Sequence, residues 1–334
     1  MSAVIRAGVV GVGSLGRHHV RVWANLPGVK LGGVYDTHPE RGQTEAEKFG
    51  SKQVADLDAL IDVCDIISVV SPTHSHLKVA TQIVQSGKAC FVEKPICATV
   101  EEAEALVGLA AARGVPLGVG HIERFNPAVL ALQNNPVRPR FIEAHRLAPF
   151  TRRGADVAVI YDLMIHDIDL VLYLTGQEPT DIRASGAAVV SEELDICNAR
   201  LEFADGAVAN LTASRISNFG MRKFRIFSEA SYVSLDLKEK VIKQYRLFES
   251  EQAFEAAHTG VSALPFGDRG QVLSVDRIKP PGEEMLYLEL SLFVDAVRKG
   301  ITPPVDGQAG LRALRVADRI HRQARELLER TQGV

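Results

Sequence analysis

The amino-acid sequence predicts an α/β domain with a parallel sheet, followed by an α+β domain with an open, mainly antiparallel sheet. Short apolar runs alternate with helical patterns up to about residue 120, which indicates repeated strand–helix–strand units. Beyond that point, short strands of alternating polarity follow one another, with a hairpin turn at Asp205-Gly206. The length, 334 residues, is enough for two such domains.

In the first half of the chain, each element follows from its residue pattern. Five apolar runs are typical of strands buried on both faces of a parallel sheet, over residues 5–10, 31–35, 65–70, 89–92 and 116–119. Apolar residues at helical spacing predict helices over 15–26, 39–49, 77–85 and 100–113. We therefore expect one domain over 1–121.

The second half changes to antiparallel strands, predicted over 141–147, 182–190, 198–203, 207–213, 224–227 and 232–237. Residues 250–282 are richer in Gly, Pro and polar side chains, which predicts a long irregular loop. Two helices close the chain, over 283–298 and 307–330. We expect 122–305 to form the second domain and 306–334 to pack back on the first.

Composition excludes several classes of protein. The 38 basic and 41 acidic residues give a net charge of −3, so nucleic acid is not an expected partner. Apolar runs are too short for a membrane span, and the N-terminus has no signal-peptide layout. The four cysteines lack CxxC spacing, which predicts no disulfide framework and no zinc knuckle, and favours a reducing cytoplasm.

A GxGxxG motif, Gly11 to Gly16, follows the first strand and opens the first helix. Such glycines make the tight turn, the close approach to a pyrophosphate and the helix–strand contact of a Rossmann dinucleotide-binding domain. Asp36 follows 20 residues later, where a carboxylate binds ribose hydroxyls and repels a 2′-phosphate. This favours NAD over NADP, although Arg41 is near enough to approach a 2′-phosphate. The expected cofactor contacts here are Gly11, Gly13, Ser14, Leu15, Gly16 and Asp36.

Two further turns follow strands of the parallel sheet. Lys94 lies in Glu93-Lys94-Pro95 after the fourth strand, where ligands of open α/β sheets bind. A partly desolvated lysine there can exchange a proton with a substrate oxygen; the alternative is an ordinary surface lysine. After the third strand, Ser71-Pro72-Thr73-His74-Ser75-His76 is expected beside the nicotinamide half of the cofactor. The expected contacts of the two turns are Ser71, Pro72, Thr73, His76, Glu93 and Lys94, with a structural role as the alternative for His76.

The predicted helix over 157–174 is mostly apolar and carries a polar stripe. Asp162, His166, Asp169 and Tyr173 follow at spacings of four, three and four residues and share one face. A histidine one turn from a carboxylate can act as an acid–base pair. A zinc site is disfavoured because one histidine with carboxylates lacks the rest of a ligand set. A structural stripe of buried polar groups is the alternative.

Together these motifs resemble the Gfo/Idh/MocA oxidoreductases, which include glucose–fructose oxidoreductase and inositol dehydrogenase. The resemblance rests on GVGSLG with Asp36, SPTHSH, EKP, GHIERFNP and YDLMIHDID, in order along nearly the whole chain. It implies hydride transfer between a nicotinamide and a sugar or cyclitol hydroxyl-bearing carbon. His166 is then the expected general base, Lys94 positions the hydroxyl, and Asp162 orients the substrate or His166. A homodimer or homotetramer is also implied.

The substrate is less clearly indicated. GHIERFNPAV is similar to the motif of family members that oxidise the 3-position of UDP-N-acetylglucosamine. Arginine forks suit a diphosphate, so the expected substrate contacts are Lys94, Asp162 and His166 with Arg124, Asn126, Arg152 and Arg153. A free sugar or inositol is the alternative substrate, with Arg152 and Arg153 as solvated charges. A sensor that binds NAD(P) without turnover is the alternative of another class, and the retained catalytic residues argue against it.

Overall fold

The structure, a computed structural model, describes residues 4–134, 137–151, 154, 156–229, 231–257 and 263–332. It divides into two compact units, residues 1–122 with 283–315 and residues 123–282 with 316–334. The predicted division into α/β and α+β architecture is confirmed. No helix in the described part of the chain is long and apolar enough to cross a membrane.

The first unit is built on a parallel five-stranded sheet in the order β2-β1-β3-β4-β5. Its strands are β1 (Ile5–Val10), β2 (Val29–Tyr35), β3 (Ile66–Val69), β4 (Ala89–Glu93) and β5 (Leu117–Gly120). Its helices are α1 (Gly16–Asn25), α2 (Pro39–Glu47), α3 (Leu57–Val63), α4 (His76–Gln85), α5 (Val100–Arg113), α9 (Met285–Lys299) and the first part of α10 (Gly307–Gln332).

Buried strands and capped helices explain the first unit locally. All four residues of β3 are buried, as expected where helices cover both faces of a sheet. Thr99 caps α5 by accepting a hydrogen bond from the Glu102 N–H, and Gly114, at a φ of 61°, ends the same helix. Trp23 is fully buried and donates to the Ser68 hydroxyl at 2.9 Å, which joins α1 to β3.

The second unit is built on a nine-stranded sheet in the order β13-β14-β12-β11-β10-β6-β9-β8-β7. The strands are β6 (Phe141–Leu147), β7 (Asp181–Ala187), β8 (Ile196–Glu202), β9 (Val208–Ser214), β10 (Met221–Phe227), β11 (Ser231–Asp236), β12 (Val241–Phe248), β13 (Ala263–Phe266) and β14 (Gln271–Ile278). The helices are α6 (Pro127–Leu130), α7 (Ile165–Thr175), α8 (Glu251–Ala257) and the rest of α10. Neighbouring strands are antiparallel except β6 and β9, which are parallel.

The prediction of a long irregular loop over 250–282 is wrong for most of that range. Helix α8 and the hairpin of β13 and β14 occupy it, and β14 pairs with β12 from Ile278 to Val272. Gly267 and Gly270, at φ of 68° and 71°, lie in the hairpin turn. The glycines thus mark a turn between two strands, and pairing with a distant strand outweighs the weak local pattern.

Candidate active site

The glycine motif forms an open cradle at the carboxyl end of β1. Gly11 has a φ of 83°, which a side chain would strain, and Gly16 lies so close to the turn that a Cβ would be 1.8 Å from the Gly11 carbonyl oxygen. A Cβ on Gly13 would meet nothing within 4 Å, so space lies in front of this residue. Ser14 and Leu15 are exposed beside it, immediately before α1 begins. A helix N-terminus that packs closely against the turn, with free space in front of it, can accommodate a pyrophosphate.

Asp36 follows β2 at the same edge of the sheet, with only 2% of its surface exposed. It accepts hydrogen bonds from the backbone N–H groups of Val12 and His38, each at 2.8 Å. Arg41 donates two more, from Nε at 3.1 Å and Nη2 at 2.6 Å. Burial alone would raise the pKa of Asp36, but the hydrogen bonds from Arg41, His38 and Val12 hold the pKa below its usual value.

The turn after β3 is tied to the turn that carries Lys94. His76 lies 3.0 Å from the Pro95 carbonyl through Nδ1 and 2.8 Å from the Ser71 carbonyl through Nε2. The ring is 1% exposed, and burial lowers its pKa. This geometry supports the structural alternative for His76. Ser71 itself contacts the Ser75 hydroxyl at 2.6 Å, and Pro72 and Thr73 begin the short helical turn between them.

Lys94 directly follows β4, and its neighbour Glu93 anchors the backbone there. One Glu93 oxygen lies 3.0 Å from Nε2 of His19 on α1, and the other accepts from the Lys94 N–H at 3.2 Å. Burial would raise the pKa of Glu93, but His19 and Lys94 lower it below its usual value. Gly120 leaves room for this carboxylate, since a Cβ there would lie 2.9 Å from it. Sequence reasoning missed His19, whose partner is 74 residues away.

In the second unit, Asp162 and His166 lie where the helix changes its winding. The predicted single helix begins as a π-helical turn, Ile160–Met164, and continues as α7 from Ile165. Both side chains are half-buried. Single π-helical turns occur frequently at functional sites because they redirect one side chain relative to its neighbours. Asp162 therefore lies in the π-helical turn and His166 in the first turn of α7.

Arg124 contacts the last two residues of the polar stripe, Asp169 and Tyr173, which form its C-terminal half. Its guanidinium donates to both oxygens of Asp169, at 2.8 and 2.6 Å, and lies 4.8 Å from the centre of the Tyr173 ring. The side chains of Arg124 and Asp169 are only 9% and 1% exposed. For this half of the stripe the structural alternative fits, and a buried bidentate pair is unsuited to bind a substrate diphosphate.

Asn126 is fully buried and committed to the fold. Its oxygen accepts from the Ala128 N–H at 3.1 Å and so caps α6, while its amide donates to Glu123 and to the Leu237 carbonyl. Arg152 and Arg153 lie outside the described residues. Two of the four predicted diphosphate contacts, Arg124 and Asn126, therefore make structural contacts inside the fold.

A second buried charge cluster supports the same helix. Arg146 on β6 donates to both oxygens of Asp167, at 2.9 and 2.8 Å, and to Glu123 at 2.9 Å. Burial raises the pKa of Asp167 even though Arg146 opposes this, whereas the pKa of Glu123 is lowered because Arg146 and Arg222 outweigh its burial. These contacts fix α7 against the sheet one residue beyond His166.

Arg215 holds the segment that leads into the π-helical turn. Its guanidinium donates to the carbonyls of Gly154, Val157 and Leu194. Asp195 lies beside it at 3.5 Å and is fully buried. Sequence reasoning missed this anchor because Arg215 and Gly154 are 61 residues apart.

The glycine cradle, the carboxylate after β2 and the lysine after β4 match the pattern expected of a nicotinamide-dinucleotide-binding oxidoreductase. Family comparison agrees: residues 5–121 match the GFO/IDH/MocA oxidoreductase family with an NAD-binding Rossmann fold. Residues 134–233 match the GFO/IDH/MocA C-terminal domain. The chain belongs to the GFO/IDH/MocA oxidoreductase family, as the sequence motifs predict.

Individual relatives extend over the full chain. A UDP-N-acetylglucosamine 3-dehydrogenase of Acidithiobacillus ferrooxidans is 37% identical over 327 residues, which cover 98% of this chain and 99% of the relative. A solved structure of the enzyme of that name and organism has a TM-score of 0.85 at 35% identity, covering 97% and 98% of the two chains. An inositol 2-dehydrogenase of Rhizobium meliloti is 25% identical, covering 96% and 97%.

Proposed function

We propose that this protein is an NAD-dependent dehydrogenase of a nucleotide sugar, which oxidises the 3-hydroxyl of UDP-N-acetylglucosamine to a 3-keto sugar. The observation that carries the proposal is the 37% identity, over almost the entire length of both chains, to a UDP-N-acetylglucosamine 3-dehydrogenase. The presence of Lys94, Asp162 and His166 supports turnover over a sensor role, since a sensor needs no proton relay.

The reaction assigns one task to each residue. Bound NAD would accept the hydride from the carbon that carries the hydroxyl. His166 takes the hydroxyl proton as the carbonyl forms, so one hydride and one proton leave the substrate. Lys94 donates to the reacting oxygen and stabilises the negative charge that develops there. Asp162, one turn before His166, orients the imidazole or the substrate.

The cofactor preference follows from Asp36. Its carboxylate, at the end of β2, is placed to accept hydrogen bonds from ribose hydroxyls and disfavours a 2′-phosphate. We therefore propose NAD as the preferred cofactor and NADP as the weaker one. The four cysteines are free and buried, in keeping with the cytoplasm as the compartment we propose.

Diphosphate recognition is assigned to Arg152 and Arg153, which precede the π-helical turn. Arg124 and Asn126 are left out of this proposal because their polar groups are engaged inside the fold. A free sugar or inositol is the second candidate substrate, and the similarity to an inositol 2-dehydrogenase favours it over other polyols.

We also propose that the open face of the nine-stranded sheet joins subunits in a homodimer or homotetramer. Rings of Phe227, Tyr232 and Tyr245 stack in a row across β10, β11 and β12, with centroids 4.5 and 4.9 Å apart. A row of partly exposed aromatic rings is typical of association surfaces. Light scattering after size-exclusion chromatography should give two or four subunits, and a monomer would contradict this part of the proposal.

A substrate panel tests the proposed function. Absorbance of the reduced nicotinamide would be followed with UDP-N-acetylglucosamine, its uronate, UDP-glucose, glucose and myo-inositol, each with NAD and with NADP. Activity on a UDP-sugar is the expected result, and activity confined to a free polyol would overturn the nucleotide-sugar assignment. Lys94→Ala and His166→Ala should each lower kcat by at least about a hundredfold and leave NAD binding largely intact.

A further inference from the structure

The Asp162 carboxylate lies against the backbone of Gly154, a residue that precedes the π-helical turn. Gly154 has a φ of 76°, a conformation that residues with a side chain rarely adopt. A Cβ on Gly154 would lie 3.4 Å from Oδ2 and 3.7 Å from Cγ of Asp162. The carboxylate therefore lies on the side of Gly154 to which a side chain would project, so a shift of this backbone changes the space that the carboxylate can occupy.

One guanidinium holds this backbone in place from outside the segment. Arg215, which directly follows β9, donates from Nη1 to the Gly154 carbonyl and from Nη2 to the Val157 carbonyl. Nη2 also donates to the Leu194 carbonyl at 3.2 Å, and this carbonyl accepts from the Val159 N–H at 2.8 Å. Gly154, Val157 and Val159 are thus tied to partners outside their own segment, which leads directly into the π-helical turn.

The charge of Arg215 is balanced by a different contact from those that hold the carbonyls. Only 5% of Arg215 is exposed, and its Nε lies 3.5 Å from Oδ1 of the fully buried Asp195. Oδ2 of Asp195 accepts from the backbone N–H groups of Val189, Val190 and Ser191, at 2.8, 2.7 and 3.0 Å. A buried cation is stable only when it is paired. The ion pair therefore stabilises the cation while the two Nη atoms fix the segment, and a substitution can separate the two tasks.

We propose that Arg215 is a positioning residue for the proposed reaction, which acts through Gly154 on the carboxylate of Asp162. By fixing the Gly154 carbonyl, Arg215 places the carboxylate that orients the imidazole or the substrate. Arginine suits this task because its planar fork reaches two carbonyls at once, whereas lysine offers a single ammonium group. A misplacement of about 1 Å can lower a rate about a hundredfold, so loss of this anchor slows the reaction. The inference rests on the proposed function.

Two substitutions disturb the anchor in different ways, and each has a matched control. Arg215→Lys keeps a positive charge beside Asp195 but loses the fork that holds the carbonyls. Gly154→Ala puts a methyl group against the carboxylate, at a φ that alanine rarely adopts. Arg140→Lys is the control for the first, because Arg140 is exposed and also contacts a carboxylate and a carbonyl. Gly206→Ala is the control for the second, since Gly206 has a φ of 83° and its Cβ would meet nothing within 4 Å.

A double-mutant cycle with Asp162→Ala tests whether the anchor acts through Asp162. The kcat with UDP-N-acetylglucosamine and the Kd of NAD would be measured for each substitution in the wild type and in Asp162→Ala, with Tm as the check on folding. In the wild-type background, Arg215→Lys and Gly154→Ala should each lower kcat at least about tenfold and leave the Kd of NAD unchanged. In the Asp162→Ala background they should lower kcat less than about twofold, because the group they displace is absent. The two controls should leave kcat unchanged in both backgrounds.

An equally large loss of kcat with and without Asp162 would overturn the proposal, because the substitutions would then act on the fold as a whole. Wild-type kcat in Arg215→Lys would overturn it as well. Where Arg215→Lys does not fold, Arg215→Gln combined with Asp195→Asn, which removes both charges of the ion pair, takes its place in the cycle. Absence of turnover by the wild type would instead refute the proposed function.

Discussion

Removal of either partner of the Arg124–Asp169 pair should unfold the protein at a much lower temperature. The pair is bidentate, and its side chains are only 9% and 1% exposed. Truncation of one partner in a buried pair leaves an uncompensated charge and costs about 3–5 kcal/mol. With about 2–4 °C of Tm per kcal/mol, Arg124→Leu or Asp169→Leu should lower Tm by roughly 6–20 °C.

A double-mutant cycle separates this structural role from substrate binding. Arg124→Leu with Asp169→Leu should cost less than either single change, because two apolar side chains replace the buried pair. Arg140→Leu is the control: Arg140 and Glu229 are 3.9 Å apart and mostly exposed, so the change should cost at most about 1 kcal/mol. Calorimetric unfolding measures the wild type and the four variants. The reasoning is refuted if Arg124→Leu unfolds like the wild type and raises KM for the sugar more than tenfold.

Three further predictions follow from single contacts. Gly13→Ala should keep wild-type stability, since its Cβ meets nothing within 4 Å, yet weaken NAD binding at least about tenfold in calorimetry. Gly16→Ala should weaken NAD binding and also lower Tm, because its Cβ would collide with the Gly11 carbonyl. Equal Tm values for the two variants would contradict this. Hydrogen bonds from Val190, Val189 and Ser191 outweigh burial and lower the pKa of Asp195 to about 2. The ionised carboxylate therefore contributes about 2 kcal/mol to the free energy of unfolding. This contribution is present above pH about 4 and is lost as the pH falls to about 2. Urea unfolding at several pH values should show Asp195→Asn losing less over that range than the wild type. His19→Phe should lower kcat about tenfold with NAD affinity unchanged, because His19 holds Glu93, which in turn holds the Lys94 backbone. His19→Gln, which still donates to Glu93, should restore kcat. Equal kcat in the wild type and His19→Phe would exclude this positioning role of His19.

The parts of the site that lie close in sequence were predictable. Gly11, Gly13 and Gly16 lie within one turn, so their spacing after a predicted strand and before a predicted helix indicates the cradle. Asp36 follows from the position of the next strand. Asp162 and His166 were predictable as residues of one helical segment, and their pairing stays a prediction. The π-helical turn that carries Asp162 was not, because nothing in its local residue pattern separates it from an ordinary helix.

Contacts between residues that are far apart in the sequence could not be predicted from it. Arg124 has the residue type of a phosphate ligand, but its fate is decided by Asp169, 45 residues later. His76 has the position of a cofactor contact, and two backbone carbonyls hold it instead. In the same way, the glycines near 270 indicate a loop when read locally, whereas in the structure β14 pairs with β12. Residue type shows what a side chain can bind, and the fold decides what it meets.

Transfer of a labelled hydrogen tests the central claim most directly. UDP-N-acetylglucosamine with deuterium on carbon 3 would be incubated with the protein and NAD, and the reduced cofactor examined by mass spectrometry. The account predicts that the reduced cofactor carries the deuterium and that His166→Ala transfers almost none. Reduced cofactor without deuterium, or no reduction of NAD by this sugar, would contradict the account.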